Sequence, residues 1–231
     1  MKTVPFWIDD HPGRAYQRPN ELPRRVDVAV VGAGYTGLAC ALGVAKAGSS
    51  VVVIDKGSVG AGASSVNGGQ LCPGLKKSPQ QLFDLYGREL GRRLWDASVE
   101  AVHAVERLIE EESIDCGYEA TGGLSLAYKP HHFERQQRYA EWLQREIGYE
   151  REAIPKDRIR DEIGSDLYHG GLLDRRGGGL HPAAFVHGLA EAAERAGAQI
   201  VEQVEVVDIQ DADGRHRLTL DTGETLDADE V

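Results

Sequence analysis

The chain has 231 residues, 41% of them hydrophobic and 27% charged, which suits a folded core and argues against disorder. A net charge of −11, with no dense Lys/Arg block to offset it, excludes nucleic acid and anionic membrane surfaces as natural partners. No run of about 18 apolar residues is present to span a bilayer, and three widely spaced cysteines fit neither a disulfide framework nor a zinc pattern, so a reducing cytoplasm is the expected location.

Residues 1–25 hold four prolines together with Phe6, Trp7 and Tyr16, a composition that predicts an extended arm over a neighbouring surface. Val26 to Val31 is a nearly continuous apolar run, as in a parallel strand covered on both faces. Gly32-Ala33-Gly34-Tyr35-Thr36-Gly37 follows, then a helix to about Ala47 that Gly48 caps, then a second apolar strand, Val51 to Ile54, ending in Asp55. A β-α-β connection of this length is parallel and right-handed. The stretch Gly57 to Gln70, five of whose fourteen residues are glycine, predicts a backbone that comes close to a ligand, with a plain surface loop as the alternative.

Further on, Pro79 to about Glu112 has the periodicity of one long helix, Gly87 and Gly91 weaken its first half so that two helices are the alternative, and the Trp95 face reads as core. Tyr118 to Thr121 and Leu124 to Tyr128 read as strands about a Gly122-Gly123 turn, followed by a helix over 132–147. Ile154 to Ile163 is expected to be a short polar helix or turn, Gly170 to Asp174 a strand, and Gly177 to Pro182 irregular chain before a helix over 183–196. Gln199 to Ile209, Arg215 to Asp221 and Thr225 to Val231 alternate around two Gly turns, as a β-meander does. The last strand has nothing after it to cover it, so the sequence is expected to be an N-terminal fragment of a longer protein.

The six residues from Gly32 to Gly37 carry the clearest chemistry. The first glycine permits the tight turn, the second admits a pyrophosphate against the backbone, and the third lets helix and strand pack closely. The helix start offers N–H groups and about half a positive charge. Asp55, 23 residues after Gly32, is placed to accept from an adenosine ribose and to repel a 2′-phosphate, which disfavours NADP. The glycines, the preceding strand, the following helix and the acidic strand end together specify a dinucleotide site.

The fingerprint, the string Gly62-Ala63-Ser64-Ser65-Val66-Asn67-Gly68-Gly69-Gln70, and Gly178-Gly179-Leu180-His181-Pro182 before a helix resemble the FAD-dependent amine and amino-acid oxidases of the D-amino-acid oxidase superfamily. The loop string is most similar to the gamma-glutamylputrescine oxidase branch, with glycine and sarcosine oxidases more distant. The resemblance covers about residues 5–231. It implies an α/β fold: a Rossmann-like FAD-binding domain, a parallel sheet with a β-meander, formed by residues 26–78 and 181–231, plus part of an α+β substrate domain in 79–180.

It also implies that Gly32, Ala33, Gly34, Tyr35, Thr36 and Gly37 surround the FAD pyrophosphate and that Asp55 and Lys56 border the ribose. Ala63, Ser64 and Ser65 then follow the diphosphate and ribityl chain, Asn67, Gly68, Gly69 and Gln70 reach the flavin ring, and Val206 meets the adenine. The family usually has Glu where Asp55 stands, a one-methylene loss that alters the ribose contact. The implied reaction removes a hydride from the carbon bearing an amine of a small amine or amino-acid substrate. No general base is assigned; His181 is the one candidate, against a structural role at a helix start. Cys72 reads as a packed small residue or, alternatively, a covalent or redox-active thiol. An NAD-dependent dehydrogenase shares the fingerprint without explaining the glycine-rich loop, and a non-catalytic dinucleotide-binding fragment is a further reading.

Overall fold

The computed structural model describes residues 3–16, 22–212 and 214–231. In chain order the elements are α1 (Phe6–Asp10), β1 (Arg25–Val31), α2 (Tyr35–Lys46), β2 (Val51–Ile54), β3 (Gln70–Leu71), α3 (Pro79–Glu111), β4 (Gly123–Leu126), α4 (Pro130–Ile147) and β5 (Glu152–Pro155). They continue with α5 (Ile159–Ile163), β6 (Gly170–Asp174), β7 (Gly178–Gly179), α6 (Pro182–Arg195), β8 (Gln199–Val201), β9 (Val206–Ala212), β10 (Arg215–Leu220) and β11 (Thr225–Glu230). The chain forms two compact units, one of Met1–Gly69, Leu108–Gly117 and His181–Val231, the other of Gln70–Arg107 and Tyr118–Leu180.

The first unit is built on a six-stranded sheet in the order β8-β2-β1-β11-β10-β9. β8, β2, β1 and β11 run parallel, while β9, β10 and β11 form the antiparallel meander. All four residues of β2 are buried, as an apolar run covered on both faces requires. One core cluster includes Val26, Val52, Ile54, Val201, Leu218 and Leu226. α2 packs on α6, and the small residues Ala41 and Ala45 on the one and Ala190 and Ala193 on the other are buried. Leu38 and Leu42, buried on α2, each stabilise it by roughly 1.5–3 kcal/mol. That outweighs the helical weakness of Gly37 and Gly43, about 1 kcal/mol apiece.

The second unit holds a three-stranded antiparallel sheet, β4-β6-β5, and the β3-β7 pair. Trp95 is buried against Leu143, Ile147 and Tyr149, so its face is core. α3 breaks at Gly87, whose φ of 76° and ψ of 163° lie outside the helical region, so it is two helical segments meeting there.

Several expectations are corrected. Part of the proline-rich arm, Phe6–Asp10, is helical rather than extended, since Pro5 sits just before the first turn, where a missing N–H costs nothing; residues 17–21 of the arm lie outside the described residues. β4 does not form a hairpin with 118–121; it pairs with β6, and Glu119 bridges to Gly179. Glu152–Pro155 is a strand because β6 offers it an edge. The irregular glycines 178–179 form β7, pairing with Gln70 and Leu71. Gln199 to Ile209 is two strands with different partners, separated where Gln203 adopts φ 58°.

Candidate dinucleotide site

The first turn of the sheet is set by three glycines that act differently. Gly32, at φ 107°, holds a conformation that favours glycine, and its N–H donates to the Ile54 carbonyl at 2.8 Å. Gly34 is the N-cap of α2 in extended backbone, and a Cβ there would meet only Ser64 Oγ, at 3.1 Å. Gly37 faces the turn so closely that a Cβ would lie 2.0 Å from the Gly32 carbonyl oxygen. The first-turn N–H groups of a helix lack partners within it; that of Tyr35 is taken by Ser64 Oγ at 3.1 Å. No acidic side chain stands in the first turn of α2, and Thr36 is exposed beside it, so its positive end is left for an anion.

Asp55 emerges from the tip of β2. Its Oδ2 accepts from Ala33 N–H at 2.6 Å and its Oδ1 from Gly57 N–H at 2.7 Å, tying the strand tip to both flanking turns. Beside it lies a cavity of about 280 Å³ lined by Val31, Gly32, Ile54, Asp55, Lys56, Val204, Glu205 and Val206. That is slightly below the roughly 300–1,000 Å³ of whole small-molecule sites, a size for one end of an elongated ligand. Lys56 pairs with Glu205 at 3.7 Å, an exposed pair worth little to stability.

The glycine-rich loop is pinned mainly by its own polar groups. The Asn67 amide donates to the carbonyls of Ala63 and Ser64, both at 3.1 Å, and accepts from Gly69 N–H at 2.8 Å. Gly60 donates to the Ala33 carbonyl at 2.9 Å, and Ser65 is buried beneath the loop. Ala63 and Gly68 are exposed, and Gly69 is buried. Tyr35 donates to the Pro182 carbonyl at 3.1 Å, and burial pushes its phenol above the ordinary value. Gln70 belongs to the second unit, where it is exposed on β3. The structure thus brings Gly32 to Gly37, Asp55, Lys56, Ala63 to Gly69 and Val206 into one compact unit.

His181 is the N-cap of α6: its Nδ1 accepts from Ala184 N–H at 3.1 Å, and its Nε2 lies 3.3 Å from Asp10 Oδ2. A ring nitrogen used as a helix cap is not free to take a substrate proton, which favours the structural role. Burial, and then the Asp174 charge, push the Cys72 thiol up, away from thiolate reactivity.

A protein-family model described as DAO, FAD dependent oxidoreductase, matches residues 27–231. The chain belongs to this family. It is 36% identical over 184 residues to gamma-glutamylputrescine oxidoreductase of Escherichia coli, covering 80% of this chain and 43% of that one. It is 34% identical over 189 residues to the probable oxidoreductase OrdL of Haemophilus influenzae, covering 81% and 44%. Among solved structures, glycine oxidase of Geobacillus kaustophilus superposes with a TM-score of 0.71 at 28% identity, over 90% of this chain and 54% of that chain. The chain therefore spans about half the length of the curated relatives it matches. The family's cofactor, FAD, sets aside the NAD-dependent reading.

The residues present fit one end of FAD. The turn at Gly32 is open on the side where a Cβ would project, the α2 start carries no competing carboxylate, and the adjoining cavity offers the carboxylates of Asp55 and Glu205 and the Lys56 ammonium beside apolar walls. Sequence reasoning missed Glu202, which is 7% exposed and accepts from Val59 N–H at 2.6 Å and Tyr16 N–H at 2.9 Å. The available signal is its place at the tip of an apolar run: β8 pairs with β2 in the register Ile54↔Val201, so Glu202 is the neighbouring strand's equivalent of Asp55. Among the described residues no cluster of His, Cys, Asp or Glu is arranged to hold a metal ion, and no helix is long and apolar enough to cross a membrane.

Proposed function

We propose that this chain supplies the dinucleotide-receiving part of an FAD-dependent oxidoreductase that oxidises the C–N bond of a primary or secondary amine or amino acid. Its FAD-binding domain is the unit of Met1–Gly69, Leu108–Gly117 and His181–Val231 rather than 26–78 and 181–231, and Gln70–Arg107 with Tyr118–Leu180, rather than 79–180, contribute part of its substrate domain. The observation that carries the reading is the open glycine turn and a helix start free of acidic side chains, lying next to the Asp55-lined cavity in one compact unit. The names of the relatives, gamma-glutamylputrescine oxidoreductase and glycine oxidase, support the substrate class. The cytoplasm is the proposed location.

The chemistry FAD supplies is acceptance of a hydride from the carbon bearing the amine, after which the imine hydrolyses to a carbonyl and the electrons pass to oxygen or another acceptor. This chain's residues bind and orient. Gly32 and Gly34 let the pyrophosphate approach the backbone, the α2 start supplies the positive pole, and Asp55 and Lys56 border the ribose beside Val206. Asn67 holds the loop of Ala63 to Gly69 in shape along the remainder of the cofactor, with Gln70 following it.

The test is flavin occupancy of purified full-length protein carrying Gly34→Val. Because a Cβ at Gly34 meets only a movable hydroxyl, the variant is expected to fold while its side chain stands against the pyrophosphate and abolishes the flavin absorption band. Wild-type flavin content in the folded variant would refute the site. Peroxide production across a set of amines and amino acids then identifies the substrate.

A further inference from the structure

The N-terminal arm is fastened to the glycine-rich loop at two points. At one end the Trp7 indole N–H donates to the Asn67 carbonyl at 2.9 Å, and the ring rests edge-on against His181 at 4.7 Å. At the other, Tyr16 N–H donates to Glu202 Oε2 at 2.9 Å, while Glu202 Oε1 accepts from Val59 N–H of the loop at 2.6 Å. Glu202 and Tyr16 are 7% and 6% exposed, so this carboxylate bridges two backbone amides out of water, where leaving either unpaired is costly.

Between these points the arm follows α6. Gly13, at φ 68°, turns against the His187 ring, where a Cβ would fall 2.3 Å from a ring atom, and Arg14 pairs with Glu194. Arm and loop together line a cavity of about 410 Å³ with Ser65, His187 and Glu202. Asn67, whose carbonyl Trp7 holds, is the residue that closes the loop on Ala63, Ser64 and Gly69, and Ser64 in turn holds Tyr35 N–H at the helix start.

We propose that the arm is a strap that holds the loop of residues 57–69 in its cofactor-receiving shape, with Trp7 and Glu202 as positioning residues that never touch the cofactor. This rests on the cofactor site proposed above. Glu202→Gln keeps size and shape but turns one acceptor into a donor facing an amide N–H; Trp7→Phe keeps an aromatic ring and removes the donor.

The experiment uses full-length protein freed of flavin. Peptide-resolved hydrogen exchange is measured over 57–69 and over the sheet, and the FAD Kd is read from flavin fluorescence. Expected are faster exchange confined to 57–69 in both variants and a rise in Kd of roughly threefold for Trp7→Phe and tenfold or more for Glu202→Gln, a neutral hydrogen bond being worth less than one to a charged group. Unchanged exchange over 57–69 overturns the strap, as does faster exchange with an unchanged Kd. Gly34→Val separates this failure from failure of the site. If it alone weakens FAD, the strap is wrong and the site stands; if none of the three variants weakens FAD, the site itself is wrong.

Discussion

Gly37 and Gly43 lie six residues apart on α2, and replacing each with alanine is expected to move stability in opposite directions. At Gly37 the new Cβ would sit 2.0 Å from the Gly32 carbonyl oxygen and 3.1 Å from Val30 Cγ1. The nearer atom is backbone held by the Gly32–Ile54 hydrogen bond, so it cannot rotate away, and helix and turn must part by about 1.4 Å to regain an ordinary 3.4 Å contact. Overpacking of this kind costs about 1–3 kcal/mol or more, while alanine returns up to about 1 kcal/mol of helix propensity. The net expectation is a loss of about 1–2 kcal/mol. At Gly43, which is exposed and has nothing within 4 Å of the added carbon, only the propensity gain operates, about 0.5–1 kcal/mol. Circular dichroism melts of the flavin-free protein should show Gly37→Ala falling by several degrees and Gly43→Ala rising by one to a few, at roughly 2–4 °C per kcal/mol. Equal melting temperatures for the two variants would refute the close approach of turn and helix on which the proposed pyrophosphate site depends.

Two further predictions concern the second unit. Burial first, then its hydrogen bond to the Asp174 carboxylate at 2.8 Å, push the Tyr149 phenol up to about 12 from an ordinary 10.0. A folded value raised above the unfolded one contributes stability that is complete below pH 10 and is lost as pH rises toward 12, in all about 2–3 kcal/mol. Burial also raises other phenols, Tyr118 and Tyr139 among them, so denaturation at pH 9 and pH 11.5 should show a loss in both proteins that is smaller in Tyr149→Phe than in wild type; parallel losses in both would disprove the assignment. Asp174→Asn removes the partner of Arg151, whose Nε lies 2.8 Å from Oδ2 with the two side chains 18% and 9% exposed, and leaves a largely buried guanidinium uncompensated. A destabilisation of about 2–4 kcal/mol is expected in urea denaturation, and a change below 1 kcal/mol would show that the pair is solvated.

What the sequence revealed and concealed follows from locality. β1, the turn, α2 and β2 were legible because each is specified within a few residues: an unbroken apolar run, glycines at fixed spacing, helical periodicity from Leu38 to Ala45, and a cap glycine. The boundary between β8 and β9 was hidden because Gln199 to Ile209 alternates acceptably throughout; the division comes from β2 and β10 competing for its two ends, contacts distant in sequence. β7 was hidden because two glycines have no side-chain pattern, and their pairing depends on Gln70 and Leu71 a hundred residues earlier. At the candidate site, the glycines identified the turn, yet nothing local announced that Ser64 would cap Tyr35 or that Asn67 would close its own loop. Such bonds exist only after the loop has folded back over the helix start.

Asp55 shows how a departure from the family pattern acquires a physical meaning. Where the resemblance leads one to expect Glu, the shorter side chain keeps both oxygens within reach of the adjacent backbone, at 2.6 Å from Ala33 N and 2.7 Å from Gly57 N. Each carboxylate oxygen has a second lone pair, so these bonds orient the group without exhausting it. The consequence is a carboxylate committed first to the geometry of the turn and only then to the ribose hydroxyl proposed for it. Replacing it removes an acceptor from two amides at once, so the shape of the glycine turn and the proposed ribose contact should fail together. A longer side chain at this position would be less constrained to span both amides, and the turn would depend more heavily on the hydrogen bond from Gly60 to Ala33.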